Sequence, residues 1–393
     1  MARGSRRSLL IAALLAAYAL AYFHRTMTGV MRENVEEFSR YYGVSESLLE
    51  ATFFSAYFYA YAASQPITGG LLDAYGVRRA AAAMLALLAA STAIMIYPSP
   101  FGLVGGRALI GFSAAVVFLA AQRSLSLLFG RGSQATMTGV LLMIGNLSAA
   151  VGTLPLVEFL KRYGLSTLLA LLALVAAALA TLVYVLSTDV GGASSGIGAL
   201  AAYRKLGSVA RDPHAWGVGL ATLSIYSTSV AYQGGWGQKH LASLGLSTEG
   251  AAEVLMEMAL AFAVACPISG YLSDRVFRRR KPFLVIGPAL SALAWALALL
   301  SLSAGPGVLP AFIAVLAIAY SFHMPAPPMA REPYGPQFSA TAVGFYNVVL
   351  FAGLGALLTA SAYVSPAGMC ALSAALGVIG ALAATMTRET FRA

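Results

Sequence analysis

The chain has 393 residues, of which 59% are hydrophobic and 10% charged, less than half the charged share of about 25% usual in soluble domains. Its formal charge of +10 falls in short clusters between apolar runs, with no basic helix or aromatic-interleaved patch, which excludes a nucleic-acid partner. Cys266 and Cys370 lie in apolar stretches with no ligand spacing, so no disulfide framework, metal site or cofactor is expected.

A membrane-crossing helix needs about 20 mostly apolar residues. In chain order such segments are predicted near 8–31, 50–72, 79–97, 101–122, 134–157 and 165–186. Arg3, Arg6 and Arg7 before the first run, with Ala19-Leu20-Ala21 after it, imitate a cleaved leader. Removing that run would spoil the two-fold plan of the chain, so it is kept as a span.

Ser187 to Pro213 holds Gly191-Gly192-Ala193-Ser194-Ser195-Gly196 and the basic Arg204, Lys205 and Arg211, and reads as a linker. A second set lies near 215–237, 251–273, 283–302, 308–328, 338–361 and 367–386. The expected fold is all-α, with twelve transmembrane helices in two pseudo-symmetric six-helix bundles, 1–187 and 215–393, joined by a cytoplasmic linker, 188–214. With the N-terminus inside, 18 of the 25 Lys and Arg fall on the cytoplasmic side, 5 outside and two within spans. That bias predicts a multi-pass plasma-membrane protein with both termini cytoplasmic.

The two sets are related in sequence. Pro66, Gly69, Leu71 and Asp73 recur 201 residues later as Pro267, Gly270, Leu272 and Asp274, and the same offset links Asn146 to Asn347, two of only three asparagines. An aspartate at a helix end and an asparagine in a span are both scarce, so duplication is the best account. A solute site between parallel repeats near the bilayer midplane is then expected.

Gly69-Gly70-Leu71-Leu72-Asp73-Ala74-Tyr75-Gly76-Val77-Arg78-Arg79 resembles the G-x-L-x-D-R-x-G-R-R signature of the major facilitator superfamily. Gly270-Tyr271-Leu272-Ser273-Asp274-Arg275-Val276-Phe277-Arg278-Arg279 resembles its second-half copy. Ala74 departs from the usual arginine in the first, and Phe277 from the usual glycine in the second. The resemblance implies a secondary transporter, not an enzyme, that needs no cofactor and works on a small solute within a lipid bilayer, as a monomer. It implies a gating role for Gly69, Asp73, Gly76, Arg78, Gly270, Asp274, Arg275 and Arg278, each carboxylate facing the positive end of a helix from the other half. The plainer alternative is that the motif only ends a helix before a basic loop.

Ionisable groups within a span are costly and mark function by default. Arg25 lies deep in the first segment, and Tyr22-Phe23-His24-Arg25 resembles the first helix of organophosphate antiporters and related organic-anion branches. That implies substrate binding by Tyr22 and Arg25. Val230 stands where those antiporters carry a second arginine, which points to a monoanion. Arg25 can also be read as the permanent partner of an acidic residue such as Glu257.

Arg107 opens Arg107-Ala108-Leu109-Ile110-Gly111, which resembles a fourth-helix motif linked with proton coupling; bonding to backbone carbonyls is the packing alternative. Glu257 is the clearest carboxylate in a span, and its burial would make it a proton carrier, unless the helix leaves it in the headgroup zone. His24 and His323 are further proton-coupling candidates. Tyr57, Tyr61 and Gln65, at steps of four, form one polar face, and Asn146, Asn347, Gln233 and Trp236 complete the candidate substrate-binding set.

No Walker A loop is present, so ATP coupling is not expected within this chain. The preferred reading is movement of a small organic monoanion by alternating access, with proton symport. The alternatives are drug/proton efflux and a transporter-like solute sensor.

Overall fold

The computed structural model describes residues 3–97, 99–126, 133–187, 206–334 and 336–391, and every regular element among them is helical. Most of the linker, 188–205, lies outside the described residues. α1 runs Arg3–Thr26 and ends in the 3-10 turn Met27–Val30. A continuous helix, Glu46–Ile94, is divided at Gly76 (φ 72°) into α2 (46–75) and α3 (77–94). That left-handed backbone is one that only glycine adopts without strain.

α4 is Pro100–Ser126, α5 Gln134–Val151 and α6 Leu154–Leu186. α7 (213–243) is interrupted by π turns at Leu223–Ser227 and Tyr232–Trp236. α8 spans Thr248–Val276, α9 Lys281–Ala304, α10 Pro306–Arg331, α11 Pro336–Ser361 and α12 Pro366–Ala384. Nine of these twelve helices are long and apolar enough to cross a membrane unaided. α2, α3 and α7 complete the set, two sharing a broken helix and one carrying the π turns.

Local chemistry sets the starts. The hydroxyls of Ser45, Ser247 and Ser365 accept from the backbone N–H of Leu48, Gly250 and Gly368, which is N-capping. Proline sits in the first turn of α9 and α12, where its missing N–H costs nothing. The predicted fifth segment, 134–157, proves to be two pieces: α5 stops at Val151 and Thr153 leaves helical geometry before Leu154 opens α6.

The first six helices pack among themselves, α1 against α4, α5 and α6, and the α2–α3 helix against α4 and α6. The last six do likewise, α9 against α10 and α12, α7 against α11 and α12. Contact between the sets runs mainly through α5 with α8 and α2 with α11, two pairs that the 201-residue offset exchanges. Backbones approach closely there. A Cβ on Gly270 would lie 2.9 Å from Thr136 Cα, and one on Gly139 2.8 Å from Pro267 Cα, so only glycine fits at either place. Large apolar side chains such as Leu174, Val264 and Leu382 stay exposed on the outside of the bundle, as hydrocarbon solvent requires.

Candidate solute-binding cavity

Fixed charges identify the centre. Arg25, near the end of α1 remote from the termini, is 6% exposed, and its Nε and Nη2 are enclosed without a hydrogen-bond partner among the described residues. Its Cζ sits 3.7 Å above the Tyr22 ring and 5.6 Å from that of Tyr226. Rings stabilise a cation by their quadrupole but leave its N–H donors unused.

Arg25 lines a cavity with Tyr18, Tyr61, Phe118, Gln122, Thr138, Leu142, Tyr226, His323, Pro327, Val343, Tyr346, Asn347, Leu350 and Phe351. No carboxylate is among these described residues, so among them nothing compensates the positive charge of Arg25. The cavity has a volume of about 50 Å³, enough for roughly four waters.

Four pairs of site residues obey the repeat offset: Arg25 with Tyr226, Gln122 with His323, Leu142 with Val343, and Asn146 with Asn347. Asn347 joins the halves directly, whereas Asn146 bonds within its own half and reaches the other through Tyr22. Tyr22 Oη donates to Asn146 Oδ1 (3.3 Å) and shares a hydrogen bond with Tyr320 Oη (3.2 Å), while Asn347 Nδ2 donates to Gln65 Oε1 at 2.7 Å. Tyr61 packs on Phe351 with centroids 4.1 Å apart. Tyr57 donates to the Ala21 carbonyl at 3.3 Å and, with Tyr22, lines a narrow extension beside Arg25.

His323 sits where α10 breaks between Ser321 and Ala326. Its Nδ1 donates to the Tyr320 carbonyl, which fixes Nε2 as the other, proton-accepting nitrogen of the neutral ring. The Tyr320 and Tyr226 rings lie 4.7 and 4.9 Å away.

Other expected site residues lie elsewhere. Glu257 is exposed on the surface of α8, so the burial that would make it a proton carrier, or a partner of Arg25, is missing; the helix starts at Thr248 and turns this carboxylate outward. His24 is enclosed away from the cavity, its Nε2 3.4 Å from Thr92 Oγ1. Arg107 is fully buried, donating to the carbonyls of His24 and of Phe53 (3.5 Å), bonds of the packing alternative that tie α4 to α1 and α2.

Trp236 packs on Tyr232 and Trp295, with centroids 4.8 and 5.4 Å apart, and does not line the cavity. The two π turns each insert an extra residue, rotating the helix beyond them by about 100° and defeating a face read at regular helical spacing. Gln233 is buried, and both its amide atoms lack a partner among the described residues; its backbone carbonyl closely approaches Gly29 in the 3-10 turn after α1.

At the face carrying the termini, Asp274 Oδ2 accepts from Thr136 N (2.8 Å) and Oγ1 (3.0 Å) in the first turn of α5. Arg275 donates to Ser133 at 2.9 Å and Arg331 to Gln134. Arg78 lies 4.3 Å from the Tyr184 ring, and Arg278 holds a left-handed backbone (φ 50°) 5.8 Å from the Phe391 ring. The side chain of Asp73 and the surroundings of Gly69 lie outside what is described. At the opposite face, Thr28 donates to the Gly234 carbonyl (2.6 Å), Lys239 pairs with Glu50 (2.5 Å), and Thr248 donates to Glu33 (2.8 Å). The two sets of helices are therefore joined above and below the cavity.

Tyr18, Tyr226, Gln122 and Thr138 belong to the cavity without being among the residues expected from sequence. Tyr18 lies one turn before Tyr22 on α1, and Tyr226 is the repeat mate of Arg25, so periodicity and the offset together carry the signal for both.

Twelve helices around a polar, aromatic cavity whose one cation has no acidic partner among the described residues define a membrane carrier of small solutes. Residues 14–360 match the family profile of the Major Facilitator Superfamily, and the chain belongs to that family. No curated protein matches it.

Proposed function

We propose that the protein moves a small organic monoanion across the plasma membrane by alternating access, Arg25 and Tyr22 binding the charge and His323 carrying a coupled proton. One observation carries this reading: the buried guanidinium of Arg25 faces the cavity with unused donors and no carboxylate among the described lining residues. An unpaired charge at that depth is costly, and an anionic solute supplies both the counter-charge and the missing acceptors. Lipophilic cations would meet like charge there, which disfavours drug efflux. His323 takes the proton role in place of Glu257, since it lines the cavity beside the proposed anion site and an imidazole can take up and release a proton, whereas Glu257 lies on the outer surface of α8.

In this cycle the Asp274 carboxylate on the N-terminus of α5 holds shut the face carrying the termini, taken as cytoplasmic from the Lys and Arg bias. The contacts of Thr28, Lys239 and Thr248 hold the other. Opening one set while the other stays closed gives alternating access between 1–187 and 215–393.

The test is thermal stabilisation of the purified protein by monocarboxylates, dicarboxylates, phosphate esters, nitrate, sugars and lipophilic cations, with Arg25→Ala in parallel. Stabilisation of the native protein by monoanions, lost in a variant that still melts cooperatively, is expected. Equal stabilisation of both by cations or neutral solutes would overturn the reading.

A further inference from the structure

Six aromatic rings, those of Tyr18, Tyr61, Phe118, Tyr226, Tyr346 and Phe351, line the cavity. They stand on five helices, so rings approach the enclosed space from several sides. Tyr61 and Phe351 lie 4.1 Å apart, Tyr18 and Phe118 5.6 Å, and Phe351 meets Tyr226 edge to face at 6.0 Å and 82°. Faces and edges are thus both presented, which matches the quadrupole of another ring and favours a flat aromatic body over a saturated one.

Polarity is divided along the membrane normal. Arg25 stands near the end of α1 remote from the termini, whereas Gln122 and Thr138 lie about one turn from the opposite ends of α4 and α5. His323 lies in the half of α10 nearer the face carrying the termini, and Asn347 near the middle of α11. Asn347 commits its Nδ2 to Gln65, leaving Oδ1 to accept, while the Nδ1 bond of His323 keeps Nε2 for the coupled proton. An acceptor nearer that face than Arg25 calls for a donor on the solute, because a ligand lacking one would leave it desolvated and unpaired.

Space and charge limit the rest. Room for roughly four waters corresponds to roughly 120 Å³ of liquid water, the bulk of a one-ring acid and less than that of a sugar phosphate. One fixed cation balances one negative charge.

We propose that the solute is a planar aromatic monocarboxylate bearing a hydrogen-bond donor on the ring position remote from the carboxylate, held with its carboxylate on Arg25 and its donor toward Asn347. The proposal rests on the organic-anion function and specifies the substrate of that same site.

It is tested by measuring dissociation constants of the full-length purified protein in lipid nanodiscs for 4-hydroxybenzoate, benzoate, cyclohexanecarboxylate, acetate and 4-hydroxybenzyl alcohol. The expected order is 4-hydroxybenzoate tightest, benzoate about tenfold weaker for want of the donor, and cyclohexanecarboxylate a further two- to tenfold weaker for want of the ring. Acetate should bind weakest of the acids, and the neutral alcohol should not bind. Phe351→Leu should narrow the gap between benzoate and cyclohexanecarboxylate; its failure to fold would not matter, since the ligand series on the native protein decides. Equal affinity for benzoate and cyclohexanecarboxylate, or for 4-hydroxybenzoate and benzoate, overturns this proposal while leaving a monoanion carrier standing. Binding of the alcohol with none of the acids overturns both.

Discussion

Replacing Asp274 by asparagine keeps the side chain's shape and removes its charge, and the structure allows the consequence to be sized. Asp274 is 2% exposed, accepts from Thr136 N at 2.8 Å and Oγ1 at 3.0 Å, and has Arg280 Nη2 at 3.7 Å. A hydrogen bond to a charged group contributes about 1.5–3 kcal/mol against about 0.5–1.5 for a neutral one, so neutralisation costs about 1.5 kcal/mol. Loss of the favourable end of the α5 dipole adds about 0.5 kcal/mol. A total of about 2 kcal/mol corresponds to roughly a 30-fold shift toward the state open at the face carrying the termini. The assay is alkylation of Thr138→Cys in the cavity wall by a membrane-impermeant maleimide, applied to that face of oriented vesicles. Cys266 and Cys370 are fully buried and contribute little background. The rate is expected to rise by up to about 30-fold in Asp274→Asn. A rise of less than threefold in a variant with the native melting temperature would refute the gating role and leave Asp274 as a helix-end residue.

Two further outcomes are expected. Asp212 N-caps α7 at His214 N (2.9 Å), accepts from Tyr334 Oη (2.9 Å) and pairs with Arg388 (3.2 Å); burial alone would push its carboxyl up, but these donors hold it below the usual range. Its stabilisation is therefore present above the unfolded carboxylate pKa of about 4 and is lost as pH falls through the lower folded value. Asp212→Ala should lower stability at pH 7 by about 1 kcal/mol and flatten the acid limb of Tm against pH; an unchanged acid limb would count against the capping account. Glu257→Gln, altering an exposed carboxylate, should leave anion uptake and its pH profile unchanged in proteoliposomes, and loss of proton-driven accumulation would return Glu257 to the coupling role.

Much of the fold and part of the site are legible in the sequence because scarce residues stand out against an apolar background. The spans can be placed since hydrocarbon admits little else, and Asp274 and Arg25 because charges are rare there. Rotation about the helix axis is not legible. In α8 nearly every neighbour of Glu257 is apolar, so no amphipathic stripe says which side meets lipid, and a carboxylate expected to face inward points out. The π turns of α7 leave no mark in composition, so the face that Trp236 presents cannot be read from its position in the sequence. Gly152 and Thr153, where α5 gives way to α6, sit within an unbroken apolar run that hides the break.

The repeat also explains why the joints between the halves and the cavity follow different rules. The α5–α8 and α2–α11 pairs are exchanged by the 201-residue offset and retain matching sequence: Gly69 in α2 for Gly270 in α8, and an aspartate at the end of α2 as of α8. In the proposed cycle one joint must open as its counterpart closes, which favours near-equal energies and hence near-equal sequences. A solute with one negative charge imposes no such symmetry. A second arginine in place of Tyr226, the mate of Arg25, would leave two uncompensated cations around a monoanion, and a second histidine in place of Gln122 would add a competing proton site. Duplication followed by divergence at those two positions, with the joints kept alike, is what the proposed movement of a single anion with a single proton would require.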